Sequence, residues 1–185
     1  MAQKTMYKVE QAKAAQASEK LKVVSILVVD DDPLVVDFLQ EYLKQSDYRI
    51  SIASSGEEAI SSLKQLPCNI VLVDLKMPGL DGLQTIEKIA QIDPDIVTIL
   101  MTGFPTIDSS VRAIRLGASD YILKPFKLDE IDLAIKKAIH EHEVRQDMKN
   151  LRERVSELEH SISGKKNQIT INQKVGKTIS SNDMI

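Results

Sequence analysis

The chain has 185 residues, 43% hydrophobic and 28% charged, a balance typical of one globular domain with extensions. A formal net charge of −3 gives no support for a basic nucleic-acid-binding surface. Aromatic residues make up 4%, so the core is expected to be aliphatic, and the lone Cys68 excludes an internal disulfide. The apolar runs are too short to cross a membrane, and the N-terminus lacks the apolar stretch of a signal peptide. We therefore expect a cytoplasmic protein with no membrane insertion.

The first 22 residues differ in composition from the rest of the chain. Residues 1–22 are rich in Lys, Gln and Ala and carry no apolar stripe, which predicts a flexible or loosely helical N-terminal extension. From residue 23 onward, short aliphatic runs recur at regular intervals, as strands buried on both faces do. Five strands are predicted in this way, over residues 23–29, 49–53, 69–73, 96–101 and 120–123.

Stretches with helical spacing separate the predicted strands. Residues 33–44 form the first, with Asp32 as a plausible N-cap and Pro33 at the first helical position. Its apolar residues recur at intervals of three and four: Val35, Phe38, Leu39 and Tyr42. Ser55 and Glu58 open the second helix with capping-box spacing. Further helices are predicted over residues 81–92, over residues 106–117 and from about residue 127.

Five strand–helix repeats predict an α/β fold, in which a doubly wound parallel sheet carries helices on both faces. In such sheets the ligand site lies beyond the carboxyl ends of the strands. The residues found there are polar and charged. The first run is followed by Asp30, Asp31 and Asp32, and the others lead to Asp74, Thr102 and Lys124. We therefore expect carboxylates, a hydroxyl and an ammonium group at one edge of the sheet.

Clustered carboxylates favour a hard divalent cation, and Mg²⁺ binds through one or two carboxylates together with water and phosphate. Asp74 is then a candidate nucleophile, because aspartate attacks phosphorus to form an acyl phosphate. Lys124 and Thr102 would add a positive charge and a hydrogen bond to the same phosphoryl group. Taken alone, the aspartate triplet at residues 30–32 is more simply a solvated turn or a helix cap.

Four motifs together resemble the CheY-like receiver domain of bacterial two-component response regulators. They are "ILVVDDDP", "VLVDLKMPGLDG", "ILMTG" and "GASDYILKPF", and they occur in the family's order. The resemblance covers about residues 24–140. It implies a flavodoxin-like (βα)5 domain with strand order 2-1-3-4-5.

The resemblance also implies roles for the residues that match the family's metal and acceptor positions. Asp30 and Asp31 match the acidic pair, with Asp31 binding Mg²⁺ directly and Asp30 mainly through water. Asp74 matches the phosphoacceptor and a metal ligand. Lys76 would offer its backbone carbonyl to the metal. Asp32 falls outside the acidic pair, so helix capping remains its better interpretation.

Further matches concern the switch. Thr102 and Lys124 match the family's switch hydroxyl and lysine, and Tyr121 matches the aromatic that changes rotamer on activation. The peptide between Lys124 and Pro125 matches a position that is usually cis. The implied function is to accept a phosphoryl group from a sensor histidine kinase and to switch a protein-interaction surface. Two alternatives are the receiver of a larger transcription regulator or signalling enzyme, and a pseudo-receiver without phosphorylation. The full set of site residues argues against the pseudo-receiver.

Beyond the receiver domain, predicted over residues 23–140, the last helix continues into an apolar stripe. The spacing between successive apolar residues alternates between four and three, as in a heptad repeat, and it predicts a helical extension over residues 141–162 that forms a short coiled coil. The residues of the stripe are Val144, Met148, Leu151, Val155, Leu158 and Ile162. A parallel homodimer is the expected partner arrangement, with packing on the chain's own domain as the alternative. Residues 163–185 begin with a Ser-Gly break and are interpreted as a disordered tail or the start of a missing output region, with "QITIN" as a possible short strand. No nucleic-acid-binding motif is visible.

Overall fold

The computed structural model describes residues 23–180, with side chains described for residues 23–160 and for Ile162. The predicted flexible extension, residues 1–22, lies outside the described residues, as do residues 181–185. Within the described part, five strands alternate with five helices. The strands are β1 (Ser25–Val29), β2 (Arg49–Ala53), β3 (Ile70–Asp74), β4 (Val97–Thr102) and β5 (Asp120–Leu123). The helices are α1 (Pro33–Leu43), α2 (Gly56–Leu63), α3 (Gly82–Ile92), α4 (Ile107–Arg115) and α5 (Leu128–Ser180).

The strands form one parallel sheet in the order β2-β1-β3-β4-β5, which confirms the predicted doubly wound fold and its strand order. Val29 of β1 pairs with Ala53 on one side and Val73 on the other. Asp74, the next residue of β3, pairs with Met101 of β4. Because this register aligns the strand ends, the residues at the ends of β1, β3 and β4 lie at one edge of the sheet.

The sheet is buried on both faces, which is why uninterrupted aliphatic runs encode its central strands. Successive residues of a strand face opposite sides. Ile26 and Val28 of β1 belong to one core cluster, together with apolar residues of α1 and α5. Leu27 and Val29 belong to the other cluster, together with apolar residues of α2, α3 and α4. The aliphatic core expected from the composition is therefore divided into two layers.

Polar side chains cap the helices. The Asp32 side chain accepts a hydrogen bond from Leu34 N at 2.9 Å, which confirms the predicted cap of α1. Ser55 Oγ accepts from Glu58 N at 3.2 Å, whereas the Glu58 carboxylate accepts from Ser54 N at 2.7 Å. In a capping box the Glu58 side chain would accept from Ser55 N, so the second bond of the predicted box is displaced by one residue. Two complete capping boxes that we did not predict begin α3 and α4: Asp81 with Gln84, and Thr106 with Ser109.

Helix α1 buries a face slightly different from the predicted apolar stripe. The buried residues are Val36, Leu39 and Leu43. Phe38 is 44% exposed, and its ring centroid lies 6.2 Å from that of Phe126. Both sets of positions satisfy the helical period, so the sequence pattern does not distinguish them. The contact with the sheet decides which set becomes buried.

Helix α5 extends further than predicted. Its backbone is helical through residues 163–164 and through "QITIN", so the predicted Ser-Gly break and the short strand are both wrong. No proline occurs between Leu128 and Ser180. A single glycine weakens a helix by only about 1 kcal/mol, whereas a proline would remove a backbone hydrogen bond. The chain divides into two compact units with the boundary after His142.

A polar cluster ties the first unit together at the end of the sheet opposite the predicted site. The Asn69 side chain accepts from Ser25 N at 2.8 Å and lies 2.9 Å from His142 Nε2. The other ring nitrogen of His142 lies 3.0 Å from the carbonyl oxygen of Asp95. These bonds join β1, the start of β3 and helix α5. In the part of the chain that the structure describes, no helix is long and apolar enough to span a membrane.

Candidate functional site

The predicted site residues meet at the carboxyl edge of the sheet. Asp30 comes directly after β1, Asp74 ends β3, Thr102 ends β4 and Lys124 comes directly after β5. Asp30, Asp74 and Thr102 are 1%, 5% and 0% exposed. The parallel register accounts for their proximity, because it brings the ends of β1, β3 and β4 side by side. The buried polar side-chain atoms are all paired in the described part of the chain, so the site is an ordered network.

Lys124 is the centre of this network. Its Nζ lies 2.5 Å from Asp30 Oδ2 and 2.6 Å from Asp74 Oδ1. The second oxygen of each carboxylate accepts a backbone hydrogen bond, at 3.1 Å from Asp32 N and at 2.6 Å from Lys76 N. One ammonium group thus bridges two carboxylates that are almost fully buried. The peptide bond between Lys124 and Pro125 is cis, as expected.

Burial and pairing act in opposite directions on the two ends of this ion pair. Burial raises the pKa of Asp30 above its ordinary value, although hydrogen bonds from Lys124 and from Asp32 N act to lower it. Burial acts to lower the pKa of Lys124, but its hydrogen bonds to Asp30 and Asp74 prevail and the pKa is raised. The site therefore combines a carboxylate that is costly to keep charged with a cation that is held charged by its partners.

The oxygen-rich donor set suits a hard cation. Asp30 and Asp74 supply buried carboxylates, Asp31 beside them is exposed, and Lys76 lies two residues after Asp74. In residues 23–160 and at Ile162, no group of three or more Asp, Glu, His or Cys side chains forms a complete metal site. Mg²⁺ is compatible with this arrangement, because it is commonly held by one or two carboxylates and retains several waters.

An open cleft of about 580 Å³ lies beside the buried network. Asp31 and Lys76 line it together with Phe104, Thr106 and Arg112. Phe104 is 73% exposed, and its backbone N–H donates to Thr102 Oγ1 at 3.1 Å. The cleft is therefore adjacent to Asp31, the exposed member of the acidic pair, and to the loop after Thr102.

Tyr121 lies next to the network on β5. Its half-buried ring packs against the second core cluster, and its hydroxyl lies 3.2 Å from Ser109 Oγ. Ser109 was not among the predicted site residues. The sequence did contain a signal for it, because Thr106 and Ser109 have the spacing of a helix cap, but nothing in the spacing linked that cap to Tyr121.

Comparison with known proteins agrees with these observations. The family model for the response regulator receiver domain matches residues 26–136. The chain is 34% identical over 116 residues to the transcriptional regulatory protein ZraR of Klebsiella oxytoca, covering 63% of this chain and 26% of ZraR. It is 34% identical over 128 residues to the C4-dicarboxylate transport transcriptional regulatory protein DctD of Rhizobium meliloti, covering 69% and 28%. The chain thus spans about a quarter of the length of these curated relatives.

Solved structures show the same fold. A CheY-like response regulator receiver domain protein from Methanospirillum hungatei superposes with a TM-score of 0.65 at 29% identity, covering 67% of this chain and 99% of that one. The beryllofluoride-activated NtrC4 receiver domain dimer gives a TM-score of 0.61 at 34% identity, covering 64% and 98%. Because the family model matches more than half of the chain, the protein belongs to the response regulator receiver domain family of two-component signalling.

Proposed function

We propose that this protein is a response regulator whose Asp74 accepts a phosphoryl group from a sensor histidine kinase. The observation that carries the proposal is the position of Lys124 Nζ, 2.6 Å from Asp74 and 2.5 Å from Asp30 at the carboxyl edge of the sheet. A carboxylate beside a fixed cation suits a reaction in which negative charge gathers on phosphoryl oxygens. The histidine kinase would work in the cytoplasm, where its ATP is found, and we place this protein there too.

In the proposed reaction, a carboxylate oxygen of Asp74 bonds to phosphorus while the bond from phosphorus to the kinase's imidazole nitrogen breaks. The imidazole nitrogen keeps the bonding electron pair, and a proton taken up by the ring from solvent leaves the imidazole neutral. Lys124 and Thr102 bind the transferred group through an ammonium and a hydroxyl. Asp31, Asp30, Asp74 and the Lys76 carbonyl would hold Mg²⁺, with Asp30 acting through water, and the ion would neutralise phosphoryl charge.

The consequence of phosphorylation is a change in a surface. Thr102 moves toward the phosphoryl group, a larger fraction of Tyr121 rings turns inward, and the surface formed by α4, β5 and α5 shifts to its active arrangement. On this proposal the protein is a phosphoacceptor switch that promotes its own phosphorylation and dephosphorylation. It is not an enzyme that turns over an external substrate.

Intact mass measurement tests the proposal directly. The protein is incubated with Mg²⁺ and a small phosphodonor, and the wild type is expected to gain one phosphoryl group. Asp74→Asn should gain none, whereas the matched control Asp37→Asn, at an exposed position of α1, should behave as the wild type. A wild type that gains no phosphoryl mass, or an Asp74→Asn variant that gains it equally, would overturn the assignment.

A second candidate is the receiver module of a larger transcription regulator. It is favoured by the curated relatives, which are transcriptional regulatory proteins of about four times the matched length. The two candidates share Asp74 and differ in output, and the position of the gene's stop codon distinguishes them. In either case we assign residues 23–140 to the receiver and residues 141–162 to a coiled-coil extension. Residues 163–185 would then be a tail or the beginning of an output region.

We further propose that two copies associate through helix α5. The supporting observation is an unbroken stripe of exposed apolar residues, between 44% and 64% exposed: Val144, Met148, Leu151, Val155, Leu158 and Ile162. In heptad notation Met148, Val155 and Ile162 occupy a positions, and Val144, Leu151 and Leu158 occupy d positions. Two of the three a residues, Val155 and Ile162, are β-branched, and two of the three d residues are leucine, a combination that favours parallel two-stranded coiled coils.

The charged residues beside the stripe fit the same arrangement. Asp147 and Arg154 occupy g positions, and Arg152 and Glu159 occupy the e positions that come after them. In a parallel, in-register pair, each g residue faces the next e residue of the other chain. Asp147 would therefore face Arg152, and Arg154 would face Glu159, so each facing pair has opposite charge. The related NtrC4 receiver domain was solved as a dimer.

Charge exchange in the full chain tests both the dimer and its orientation. Asp147→Arg and Arg152→Asp should each weaken dimerisation in sedimentation equilibrium, because each places like charges opposite one another. Mixing the two variants should restore a heterodimer, and the double variant should restore a homodimer. Glu153→Lys, at the outward f position, serves as the control. A monomeric wild type would refute the dimer, and failure of the mixture to restore it would refute the parallel register.

A further inference from the structure

Ser109 occupies an unusual position between two elements. It lies in the first turn of α4 and is 7% exposed. Its hydroxyl donates to the Thr106 carbonyl at 2.9 Å and lies 3.2 Å from Thr106 N and 2.9 Å from Thr106 Oγ1. The same oxygen lies 3.2 Å from the hydroxyl of Tyr121 on β5. One buried hydroxyl thus serves the cap of a helix and the aromatic residue of a neighbouring strand.

The hydrogen-bonding capacity of Ser109 cannot satisfy all these contacts at once. A serine hydroxyl has one proton to donate and two lone pairs that accept. The Thr106 carbonyl is only an acceptor, so the bond to it uses the Ser109 proton. Three groups then approach two lone pairs: Thr106 N–H, the Thr106 hydroxyl and the Tyr121 hydroxyl. The bond to Tyr121 therefore competes with the bonds that form the cap of α4.

We infer that Ser109 is a positioning residue that holds the Tyr121 ring inward and couples its position to the start of α4. The ring already packs against the second core cluster, and the bond to Ser109 adds a directional contact at its polar end. When the ring turns outward, the Ser109 lone pair returns to the cap, so the two elements respond together. The inference rests on the proposed switch role of Tyr121 for its consequence, but the contact itself does not require phosphorylation.

Chain variants separate the hydroxyl contact from packing. Ser109→Ala removes the shared oxygen, and Tyr121→Phe removes only the phenolic hydroxyl. The control is Ser110→Ala, because Ser110 Oγ also donates to the Thr106 carbonyl, at 2.9 Å, while Tyr121 bonds to its neighbour Ser109. The inward population of the ring at position 121 is measured by NMR, from nuclear Overhauser contacts between ring protons and core methyl groups, without any phosphodonor.

Loss of one hydrogen bond should lower the inward-to-outward ratio by roughly two- to tenfold in Ser109→Ala and in Tyr121→Phe. Ser110→Ala should leave it unchanged. When Tyr121 is already Phe, adding Ser109→Ala should not lower the inward-to-outward ratio further. If Ser109 only stabilised helix α4, its effect would not depend on the Tyr121 hydroxyl. Equal ratios in the wild type and Tyr121→Phe would overturn the inference even if Ser109→Ala did not fold. Because no phosphodonor is present, that result would leave the assignment of Asp74 unaffected.

Discussion

Lys124 offers the sharpest test of how the site is held together. It is the one cation seen to pair with Asp30 and Asp74 in the described residues, and those carboxylates are 1% and 5% exposed. At separations of 2.5 and 2.6 Å, each attraction is about 6.5 kcal/mol for an effective dielectric constant near 20. Desolvation offsets much of this gain. Removing one partner of a buried pair typically costs about 3–5 kcal/mol, because a charge is left buried without compensation.

We therefore expect Lys124→Met to lower the free energy of unfolding by about 3–5 kcal/mol at neutral pH in buffer without Mg²⁺. Urea denaturation monitored by circular dichroism measures this change. Adding Mg²⁺ should restore part of the loss, because a ligand that binds only the folded state stabilises it. The double variant Lys124→Met/Asp30→Asn should be more stable than Lys124→Met, because only one unpaired carboxylate, that of Asp74, is then left buried.

The control is Lys137→Met. Lys137 Nζ lies 3.1 Å from Asp120 Oδ2, but its side chain is 57% exposed, so the expected loss is below about 1 kcal/mol. If Lys124→Met lost no more than Lys137→Met, the Lys124 bridge would not be a buried ion pair in solution. If the added Asp30→Asn substitution destabilised Lys124→Met further, the argument from uncompensated charge would be wrong.

The remaining predictions concern Asp30, Gly82 and Asn69. Because the pKa of Asp30 is raised in the folded state, this group binds a proton more tightly when folded, so its contribution to stability falls as pH rises from about 3.9 through the raised value. Urea denaturation of the wild type and of Asp30→Asn, measured at several pH values in this range, should show the loss of stability with rising pH only in the wild type. Gly82→Ala should destabilise the protein by about 1–3 kcal/mol, because a Cβ there would lie 2.2 Å from the Asp74 carbonyl oxygen. Thermal unfolding measures the change, and a loss below about 0.5 kcal/mol, the scale of ordinary surface substitutions, would contradict the prediction. Asn69→Ala should lose about 1–3 kcal/mol, because the backbone N–H of Ser25 loses its acceptor at 2.8 Å, and hydrogen exchange at Ser25 should accelerate.

The sequence was sufficient for the order of elements and for the residues that reach the site. Continuous aliphatic runs encode strands buried on both faces, and the residue after each run must lie at the carboxyl edge. Asp30, Asp74, Thr102 and Lys124 were found in this way, and the structure brings them together. Local chemistry was also enough for the Asp32 cap, because a cap depends on neighbours two or three residues away.

Other features depend on contacts between distant segments. The sequence pattern allowed either of two faces of α1 to be buried, and only packing on the sheet selected Val36, Leu39 and Leu43. The link from Ser109 to Tyr121 joins residues on different elements, and no local pattern in the sequence indicates that these two side chains meet. The predicted break at residues 163–164 is wrong, because the helix continues on both sides of the Ser-Gly pair and one glycine costs a helix only about 1 kcal/mol.

The sequence by itself determined the fold class, the strand order through its family resemblance, and the chemical identity of the groups at the carboxyl edge. It could do so because strand periodicity and the direction of parallel strands are properties of the chain alone. Only the tertiary structure decided that Lys124 bridges Asp30 and Asp74 and that burial raises the pKa of Asp30. Those properties arise from distances and solvent exclusion across several strands, which no single segment contains.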